Sequence, residues 1–276
     1  MQLIQEKVVT NGVSLNVASA GSGPVIMLLH GFPDTHAVWR KQFAALVGAG
    51  YRVVAPDLRG YGASDAPGQV RDYALDVLRQ DIVGLLDAMD IDRVYLVGHD
   101  WGAVIGWQLC IHTPERLERF AALSVGHPAA YVRAGVGQLL RAWYALAFQV
   151  PMVSEKLLLA ADLLALRGQA VDEAQLADWK GNLKREGRAT AALRYYRANI
   201  RLPDSASSPP IRVPVMGVWS EGDPALTERQ MQDSAKYING GFRYERLDGA
   251  VGHWLQLKDP GRVNELLLAF GRTAMS

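Results

Sequence analysis

One stretch of the chain decides the fold: Val94-Tyr95-Leu96-Val97-Gly98-His99-Asp100-Trp101-Gly102-Ala103. Its first part is a short apolar run that contains β-branched residues and is typical of a buried strand. The apolar residues from 104 to 109 continue as a helix, so the chain must turn sharply between the two. Small residues are needed on both sides of such a bend because a side chain there would collide with the strand or the helix. The pattern therefore predicts a strand, a sharp turn and a helix, with Asp100 at the apex.

The aspartate at this apex determines which chemistry the turn can support. Serine is the more familiar residue there, whereas a carboxylate is ionised at neutral pH because its ordinary pKa is about 4. The helix that begins at Trp101 points backbone N–H groups towards it, which favours the anion further. Such a carboxylate suits displacement at a saturated carbon, which forms an alkyl ester on the enzyme. Aspartate is also common in ordinary turns, so the motif predicts a nucleophile only together with the rest of the chain.

The composition is that of an ordinary globular protein and excludes several functional classes. The 276 residues are 49% hydrophobic and 21% charged, with a formal net charge of +1, and no basic tract indicates nucleic acid. The single cysteine, Cys110, excludes an intramolecular disulfide and a cysteine-rich metal site. The first residues lack the layout of a signal peptide, and no apolar stretch approaches the length of a membrane span. We therefore expect a cytoplasmic protein with no metal.

Strands alternate with helices over most of the chain, which predicts a mostly parallel sheet with helices on both faces. A hairpin is predicted at Asn11-Gly12. Strands are predicted near 24–29, 51–57, 94–98, 120–125, 213–219 and 242–247. The alternation then stops, and only helical patterns occur, at 137–148, 154–166, 172–185 and 188–200. With a linker-like composition at 203–210, we predict a core domain formed by 1–127 and 206–276 and a helical cap domain at 128–205.

Polar residues follow the strands at the edge of the sheet where an open α/β protein binds its ligand. Besides Asp100, two acidic residues, Glu221 and Asp223, follow one strand, and His253 follows the last strand in a glycine-flanked loop. The order nucleophile, acid, histidine along the chain matches that of the α/β-hydrolase catalytic triad. We therefore predict a triad of Asp100, Asp223 and His253. Asp223 is preferred over Glu221 because it directly precedes a proline at the start of its loop.

The chemistry of an aspartate nucleophile requires these partners. An alkyl ester on Asp100 is stable until water is activated, and neutral His253 can take the proton from that water. Asp223 can hold the other ring N–H and stabilise the cation. Hydrolysis passes through an oxyanion on the Asp100 carboxyl, for which the backbone N–H groups of Trp101 and Phe32 are the predicted donors.

The chain resembles an epoxide hydrolase of the α/β-hydrolase superfamily. The resemblance is carried by His30-Gly31-Phe32-Pro33, by Arg59–Asp65, by Gly98–Gly102 and by the pair Asp223 and His253. It extends over nearly the whole chain, and it also favours Asp223 as the acid. It implies an α/β-hydrolase fold, with a mostly parallel eight-stranded sheet flanked by helices and an inserted all-helical cap.

The same resemblance implicates two tyrosines of the cap. Residues 143–151 and 193–199 resemble the segments in which this family carries phenols that hydrogen-bond the epoxide oxygen as the ring opens. These segments implicate Tyr144 and Tyr196. Helical spacing places Tyr196, rather than Tyr195, on the apolar side of its helix.

The implied reaction converts an epoxide to a vicinal diol. Its partners are a small apolar epoxide and water, with no cofactor and no nucleic acid, and a homo-oligomer is possible but not indicated. The residues expected to bind the substrate are Phe32, Trp101, Tyr144 and Tyr196.

Two other functional classes share parts of this pattern. Haloalkane dehalogenases use the same aspartate and Trp101 but often bind the halide with a side-chain amide at position 32, where Phe32 has no donor. Fluoroacetate dehalogenases place arginines after the nucleophile, where Trp101 and Ala103 stand here. A non-catalytic ligand-binding protein on the same scaffold commonly loses a catalytic residue, whereas this chain retains all of them.

Overall fold

An eight-stranded sheet forms the centre of the computed structural model, which describes residues 2–200 and 207–272. The strands are β1 (Ile4–Thr10), β2 (Val13–Ala20), β3 (Val25–Leu29), β4 (Arg52–Pro56), β5 (Val94–His99), β6 (Leu117–Leu123), β7 (Val215–Ser220) and β8 (Phe242–Leu247). They pair in the order β1-β2-β4-β3-β5-β6-β7-β8. Only β2 runs antiparallel to its neighbours, and the other pairs are parallel. The predicted mostly parallel sheet is confirmed.

The α-helices of the described residues cover both faces of this sheet and form the insertion. They are α1 (Phe43–Gly48), α2 (Leu75–Ala88), α3 (Trp101–His112), α4 (Pro128–Val132), α5 (Val136–Arg141), α6 (Trp143–Ala147), α7 (Val153–Leu159), α8 (Leu164–Arg167), α9 (Glu173–Leu183), α10 (Arg188–Ala198), α11 (Glu228–Gln232), α12 (Leu255–Lys258) and α13 (Pro260–Arg272). None of them combines the length and the hydropathy of a membrane-spanning helix.

Two strands of the sheet show how the sequence determines its form. The predicted hairpin joins β1 and β2 through Asn11 and Gly12, both at positive φ (42° and 74°), as a tight hairpin turn requires. The central strand β5 is buried along its whole length because helices cover both of its faces. The carboxyl end of β5 therefore opens only towards the space between the sheet and the helical insertion.

The helices α4 to α10 lie between β6 and β7, where the sequence predicts the cap at 128–205. The predicted boundary at 205, and residues 203–206 of the predicted linker, lie outside the described residues, so the division into two domains stays a prediction. Helix α9 is fastened to the core by the Thr35 hydroxyl, which donates to Asp178 at 2.8 Å, and by an ion pair of Arg40 with Asp172 at 2.6 Å.

The elements differ from the sequence prediction at several places. The helix predicted at 154–166 is interrupted between α7 and α8, because Ala161 (φ 45°) and Leu163 (φ 65°) have left-handed backbone conformations. The helix predicted at 137–148 is two helices, because the backbone of Ala142 (φ −83°, ψ 9°) leaves the helical region.

Strand β6 begins at Leu117, three residues before the predicted start. The apolar pattern did not show these residues because charged side chains interrupt it, and the fold buries part of those side chains. Arg119, for example, is buried over the rings of Tyr95 and Phe270. Helix α4 was not predicted, because five residues show no periodicity.

Candidate active site

The sharp turn that carries Asp100 joins the carboxyl end of β5 to the first residue of α3. Asp100 has φ 52° and ψ −120°, a strained conformation for a residue with a side chain. A Cβ added to Gly98 would lie 2.4 Å from the carbonyl oxygen of Gly102, and one added to Gly102 would lie 2.1 Å from that of Leu29. Both glycines are therefore required by contact, and the turn projects the carboxylate into a cavity.

The backbone of the preceding loop holds one oxygen of this carboxylate. The N–H of Phe32 donates to the Oδ1 of Asp100 at 2.7 Å. The approach is possible because residue 31 is glycine: a Cβ there would lie 2.3 Å from the Cβ of Asp100. The Asp100 side chain accepts no hydrogen bond from the first turn of α3, so the donor role of the Trp101 N–H stays a prediction. The Phe32 N–H thus lies where the sequence predicts an oxyanion donor, and that role also stays a prediction.

Asp100 is held in its ionised form. Burial alone raises the pKa of its carboxyl, but the nearby His253 and the hydrogen bond from the Phe32 N–H outweigh burial, and the net pKa is lowered. The carboxylate is therefore available as a nucleophile at neutral pH.

His253 lies between the two predicted aspartates. Its Nδ1 is 2.9 Å from the Oδ2 of Asp223, and its Nε2 is 3.7 Å from the Oδ2 of Asp100. The other oxygen of Asp223 accepts from the backbone N–H groups of Ala225 (2.8 Å) and Leu226 (3.0 Å). The acid is thereby fixed by its own loop, and it fixes the imidazole with Nε2 towards the nucleophile.

The rival acid, Glu221, does not contact the histidine. Its carboxylate accepts from the backbone N–H of Gly249 at 3.1 Å and lies 3.5 Å from the guanidinium of Arg246, at the exposed rim of the same loop. Glu221 therefore braces the loop that carries His253, whereas Asp223 contacts the imidazole; the role of Asp223 as the acid stays a prediction.

The charge state of His253 depends on its neighbours. Burial alone lowers the pKa of His253, but the carboxylates of Asp223 and Asp100 outweigh it and raise the pKa to about 10. An ester on Asp100 carries no negative charge, so its formation removes one of these two influences and lowers the pKa of His253. The histidine can therefore pair with the nucleophile as a cation and act as a base once the ester exists.

The backbone carbonyl of His253 is held by two side chains that the sequence did not indicate. The Nε2 of His99 lies 3.0 Å from this oxygen, and the Ser124 hydroxyl donates to it at 3.1 Å. A carbonyl only accepts, so the His99 proton is on Nε2, and its buried Nδ1 has no partner among the described contacts. Burial lowers the pKa of His99 to about 3, which keeps the ring neutral. His99, the residue before Asp100, and Ser124, the residue after β6, thus hold the backbone of His253 in place together.

Replacing Ser124 by alanine tests this anchor. We expect kcat to fall about tenfold, because a small displacement of a catalytic base has a large effect on rate, while single-turnover formation of the ester is unchanged. The matched control is Ser234→Ala, which removes a buried hydroxyl that binds the N–H of His127 instead. Equal losses in the two variants, or a slower ester-forming step in Ser124→Ala, would contradict the anchor.

A cavity of about 110 Å³ lies beside the nucleophile. Both predicted tyrosines, Tyr144 of α6 and Tyr196 of α10, line it together with Asp100, and their rings meet edge to face with centroids 5.9 Å apart. Burial and the negative charge of Asp100 raise the pKa of both phenols well above the usual value, so both remain protonated donors. The hydroxyl of Tyr195 instead donates to the backbone carbonyl of Arg59 at 2.7 Å. Tyr196, rather than Tyr195, therefore faces the cavity, which is the side that helical spacing predicted for it.

A third phenol and a set of apolar side chains complete the cavity wall. Tyr131 of α4 was not singled out in the sequence, and it lines the cavity. The Gln138 side chain is its hydrogen-bond partner. The apolar lining includes Trp101, Val104, Val125, Pro128, Ala145, Ile200 and Leu226. This wall favours an apolar substrate.

The buried carboxylate of Asp34 links three segments: the loop that contains Phe32, helix α9 of the cap, and the loop that contains His253. Asp34, two residues after Phe32, accepts from the indole N–H of Trp179 (2.7 Å) and the amide of Gln175 (3.1 Å), both on α9. It also accepts from the indole of Trp254, the residue after the histidine, at 2.8 Å. Burial raises the pKa of Asp34 to about 6. The carboxylate thus joins the three segments that border the nucleophile.

Comparison with known proteins places this geometry in a family. Residues 24–260 match the α/β-hydrolase fold family. The chain is 35% identical to the AB hydrolase superfamily protein YfhM of Bacillus subtilis and 33% identical to epoxide hydrolase A of Mycobacterium tuberculosis. Both alignments cover 95% of this chain and 95% of the relative.

A solved structure shows the same relationship. The crystal structure of an epoxide hydrolase from Vigna radiata superposes with a TM-score of 0.86 at 28% identity, over 98% of each chain. The protein therefore belongs to the α/β-hydrolase fold family and, within it, to the epoxide hydrolases.

Proposed function

We propose that the protein opens small apolar epoxides to vicinal diols through a covalent ester on Asp100. The observation that carries this proposal is that one apolar cavity is lined by an ionised carboxylate and by two protonated phenols, Tyr144 and Tyr196. His253 lies behind the carboxylate, 3.7 Å from its second oxygen. This arrangement supplies a nucleophile for carbon and donors for the oxygen that leaves it.

In the first step, a carboxylate oxygen of Asp100 attacks one carbon of the epoxide and the bond from that carbon to the ring oxygen breaks. The electron pair of this bond becomes an alkoxide, and Tyr144 and Tyr196 donate hydrogen bonds and a proton to it. The oxygen stays attached to the neighbouring carbon. The product of this step is a hydroxyalkyl ester.

In the second step, His253 removes a proton from water, and the resulting hydroxide attacks the ester carbonyl of Asp100. The negative charge develops on the carbonyl oxygen, where the Phe32 N–H is placed to stabilise it. Asp223 stabilises the imidazolium. The bond to the alkyl oxygen then breaks, this oxygen takes the proton from His253, and the diol leaves. The acid proton that remains on Asp100 returns through water to the phenol that gave up its proton in the first step, which restores both the carboxylate and the phenol.

The direct test compares substrate classes. We expect styrene oxide and a short aliphatic epoxide to give vicinal diols, and chlorobutane to release no chloride at a comparable rate. Faster turnover of the chlorinated alkane would contradict the proposal and favour the dehalogenase alternative. If the folded protein turns over no epoxide of a broad panel although its site is intact, a ligand-binding role is favoured.

The two phenols give a further prediction. A hydrogen bond to a developing charge contributes roughly 1.5–3 kcal/mol, so we expect Tyr144→Phe or Tyr196→Phe to slow ester formation about 10- to 100-fold, and the double variant to lose measurable ring opening. Tyr195→Phe is the matched control, because its hydroxyl binds Arg59 of the core. Single-turnover mass spectrometry measures ester formation. An effect of Tyr195→Phe as large as that of Tyr196→Phe would contradict the assignment.

The two steps should respond differently to pH. Asp100 has a lowered pKa, so ester formation should be constant between pH 6 and 9. Hydrolysis needs neutral His253 and should rise with pH through the pKa that the histidine has in the ester, since a protonated ring cannot accept a proton. We therefore expect more ester at pH 6 than at pH 9 when the reaction is quenched in the steady state. More ester at high pH would contradict the role of His253.

A further inference from the structure

Most of the large apolar side chains that are exposed in the described residues lie in one part of the protein, between Val132 and Leu164. Five of them follow one another on α5 and α6 at helical spacing: Val136, Leu139, Leu140, Trp143 and Leu146. They are 63–70% exposed. Helical spacing places Val136, Leu139 and Leu140 on one side of α5, and Trp143 and Leu146 on one side of α6. The two helices are separated by the single residue Ala142, and we call these five exposed side chains the outer cap face.

The opposite side of these helices is already occupied. Gln138 is buried and binds the backbone and side chain of Thr227 in the core at 2.9 and 3.0 Å, and Tyr144 and Ala145 line the active-site cavity. A surface helix normally presents polar residues to water on its outer side. The outer cap face is apolar instead, and exposed apolar patches of this kind mark interaction sites.

Basic side chains outnumber acidic ones in the segment of the chain that carries the outer cap face. Residues 132–167 contain four basic and two acidic side chains. Both acidic residues are paired with cations from other parts of the chain: Glu155 with Arg197 at 2.7 Å, and Asp162 with Lys180 and Lys184.

The basic residues of this segment are Arg133, Arg141, Lys156 and Arg167. Arg133 has an interaction partner, and Arg141 donates to the backbone carbonyl of Asp223, which leaves its positive charge in place; Lys156 and Arg167 are exposed. An apolar surface with an exposed tryptophan and an excess of basic side chains in the same segment is complementary to the interface of an anionic bilayer.

A second copy of the chain fits this surface less well. In a two-fold symmetric dimer the same patch meets itself, so the basic residues that flank the outer cap face would be brought together. A lipid surface of opposite charge creates no such repulsion, and the indole of Trp143 is well suited to an interface between water and hydrocarbon.

We propose that the outer cap face docks the protein on an anionic lipid surface. This proposal rests on the proposed function. Docking places the inner side of α6, which carries Tyr144, directly behind the lipid-bound surface. Apolar epoxides concentrate in lipid, so docking holds the cavity next to the phase in which such substrates dissolve.

The experiment is vesicle co-sedimentation of the whole chain. Two kinds of vesicle are used, one of equal parts phosphatidylglycerol and phosphatidylcholine and one of phosphatidylcholine alone. The test variant combines Leu139→Ser, Leu140→Ser and Trp143→Ser. The control variant combines Ile4→Ser and Val9→Ser, which removes exposed apolar side chains from β1 instead.

We expect the wild type and the control to bind the anionic vesicles more tightly than the neutral ones, less so at high salt, and the test variant to bind at least about tenfold more weakly. Turnover of a water-soluble epoxide should be the same in all three, which separates docking from catalysis. Absence of wild-type binding, equal binding of the test variant, or a dimer in analytical ultracentrifugation that the test variant abolishes would overturn the proposal. Vesicle binding without epoxide turnover would overturn only the proposed function.

Discussion

Replacing Asp100 by asparagine should lower epoxide turnover by at least about 10⁴-fold, because the loss of a nucleophile removes the covalent route altogether. Asparagine has the same size, tolerates positive φ at the apex of the turn, and offers an amide oxygen to the Phe32 N–H that now lies 2.7 Å from the carboxylate. The fold and the cavity should therefore be preserved. The measurement is diol formation under single-turnover conditions, with the melting temperature as the check on folding.

The Asp100 experiment needs one control, and one outcome would contradict the covalent route. Intact-protein mass must show that the introduced amide has not hydrolysed back to a carboxylate, since a small converted fraction would restore activity. If the verified variant keeps activity within about tenfold of the wild type, then water activated by His253 attacks the epoxide directly and no ester forms.

Replacing His253 by glutamine should separate the two steps of the reaction. Ester formation needs the Asp100 carboxylate and the phenols, so we expect it to continue, whereas hydrolysis without a general base should slow by about 10²- to 10⁴-fold. The protein should then accumulate as an ester whose mass exceeds that of the free chain by the mass of the epoxide. Rapid quench followed by intact-protein mass spectrometry measures this directly.

A second buried histidine provides the control. His127 stacks on Tyr237 with ring centroids 4.5 Å apart, and it contacts neither aspartate of the triad. His127→Gln should therefore turn over without accumulating ester. If His253→Gln fails to form the ester at all, the histidine is required for the first step, and the division of roles between His253 and the two phenols is wrong.

The sheet and the position of the candidate site could be read from the sequence because they depend on local patterns. Apolar β-branched runs predict buried strands, and polar residues directly after such runs lie at one edge of a parallel sheet. The expected position of Asp100, of the acidic pair Glu221 and Asp223, and of His253 follows from this rule. The preference for Asp223 over Glu221 came from the following proline and from the resemblance. The two cap tyrosines did not follow from the rule. Their roles came from the resemblance, with helical spacing deciding only between Tyr195 and Tyr196.

The supporting contacts could not be read from the sequence, because they join side chains to backbone groups of distant segments. Ser124 and His99 hold the carbonyl of His253 across 129 and 154 residues, and a serine at a strand end has no distinguishing pattern. Asp34 looks like a turn residue in the sequence, and only the tertiary structure brings two tryptophans to it. These contacts determine how accurately the base is placed.

The outer cap face shows a different limit of sequence reading. The segment from 136 to 148 is apolar around most of its circumference, and periodicity indicates a helix without saying which side is buried. The structure directs Tyr144 and Phe148 inwards and Leu139, Leu140 and Trp143 outwards. These two short helices therefore cannot bury all of their apolar side chains at once.

The measurement that tests the central claim most directly is a single turnover in water enriched in oxygen-18, with enzyme in excess over the epoxide. If water attacks the carboxyl of an ester on Asp100, one labelled oxygen enters that carboxyl, the first-formed diol carries none, and a peptide that contains Asp100 gains the corresponding mass. Label in the first-formed diol, with none in the Asp100 peptide, would show that water attacks the epoxide itself and would contradict the covalent mechanism.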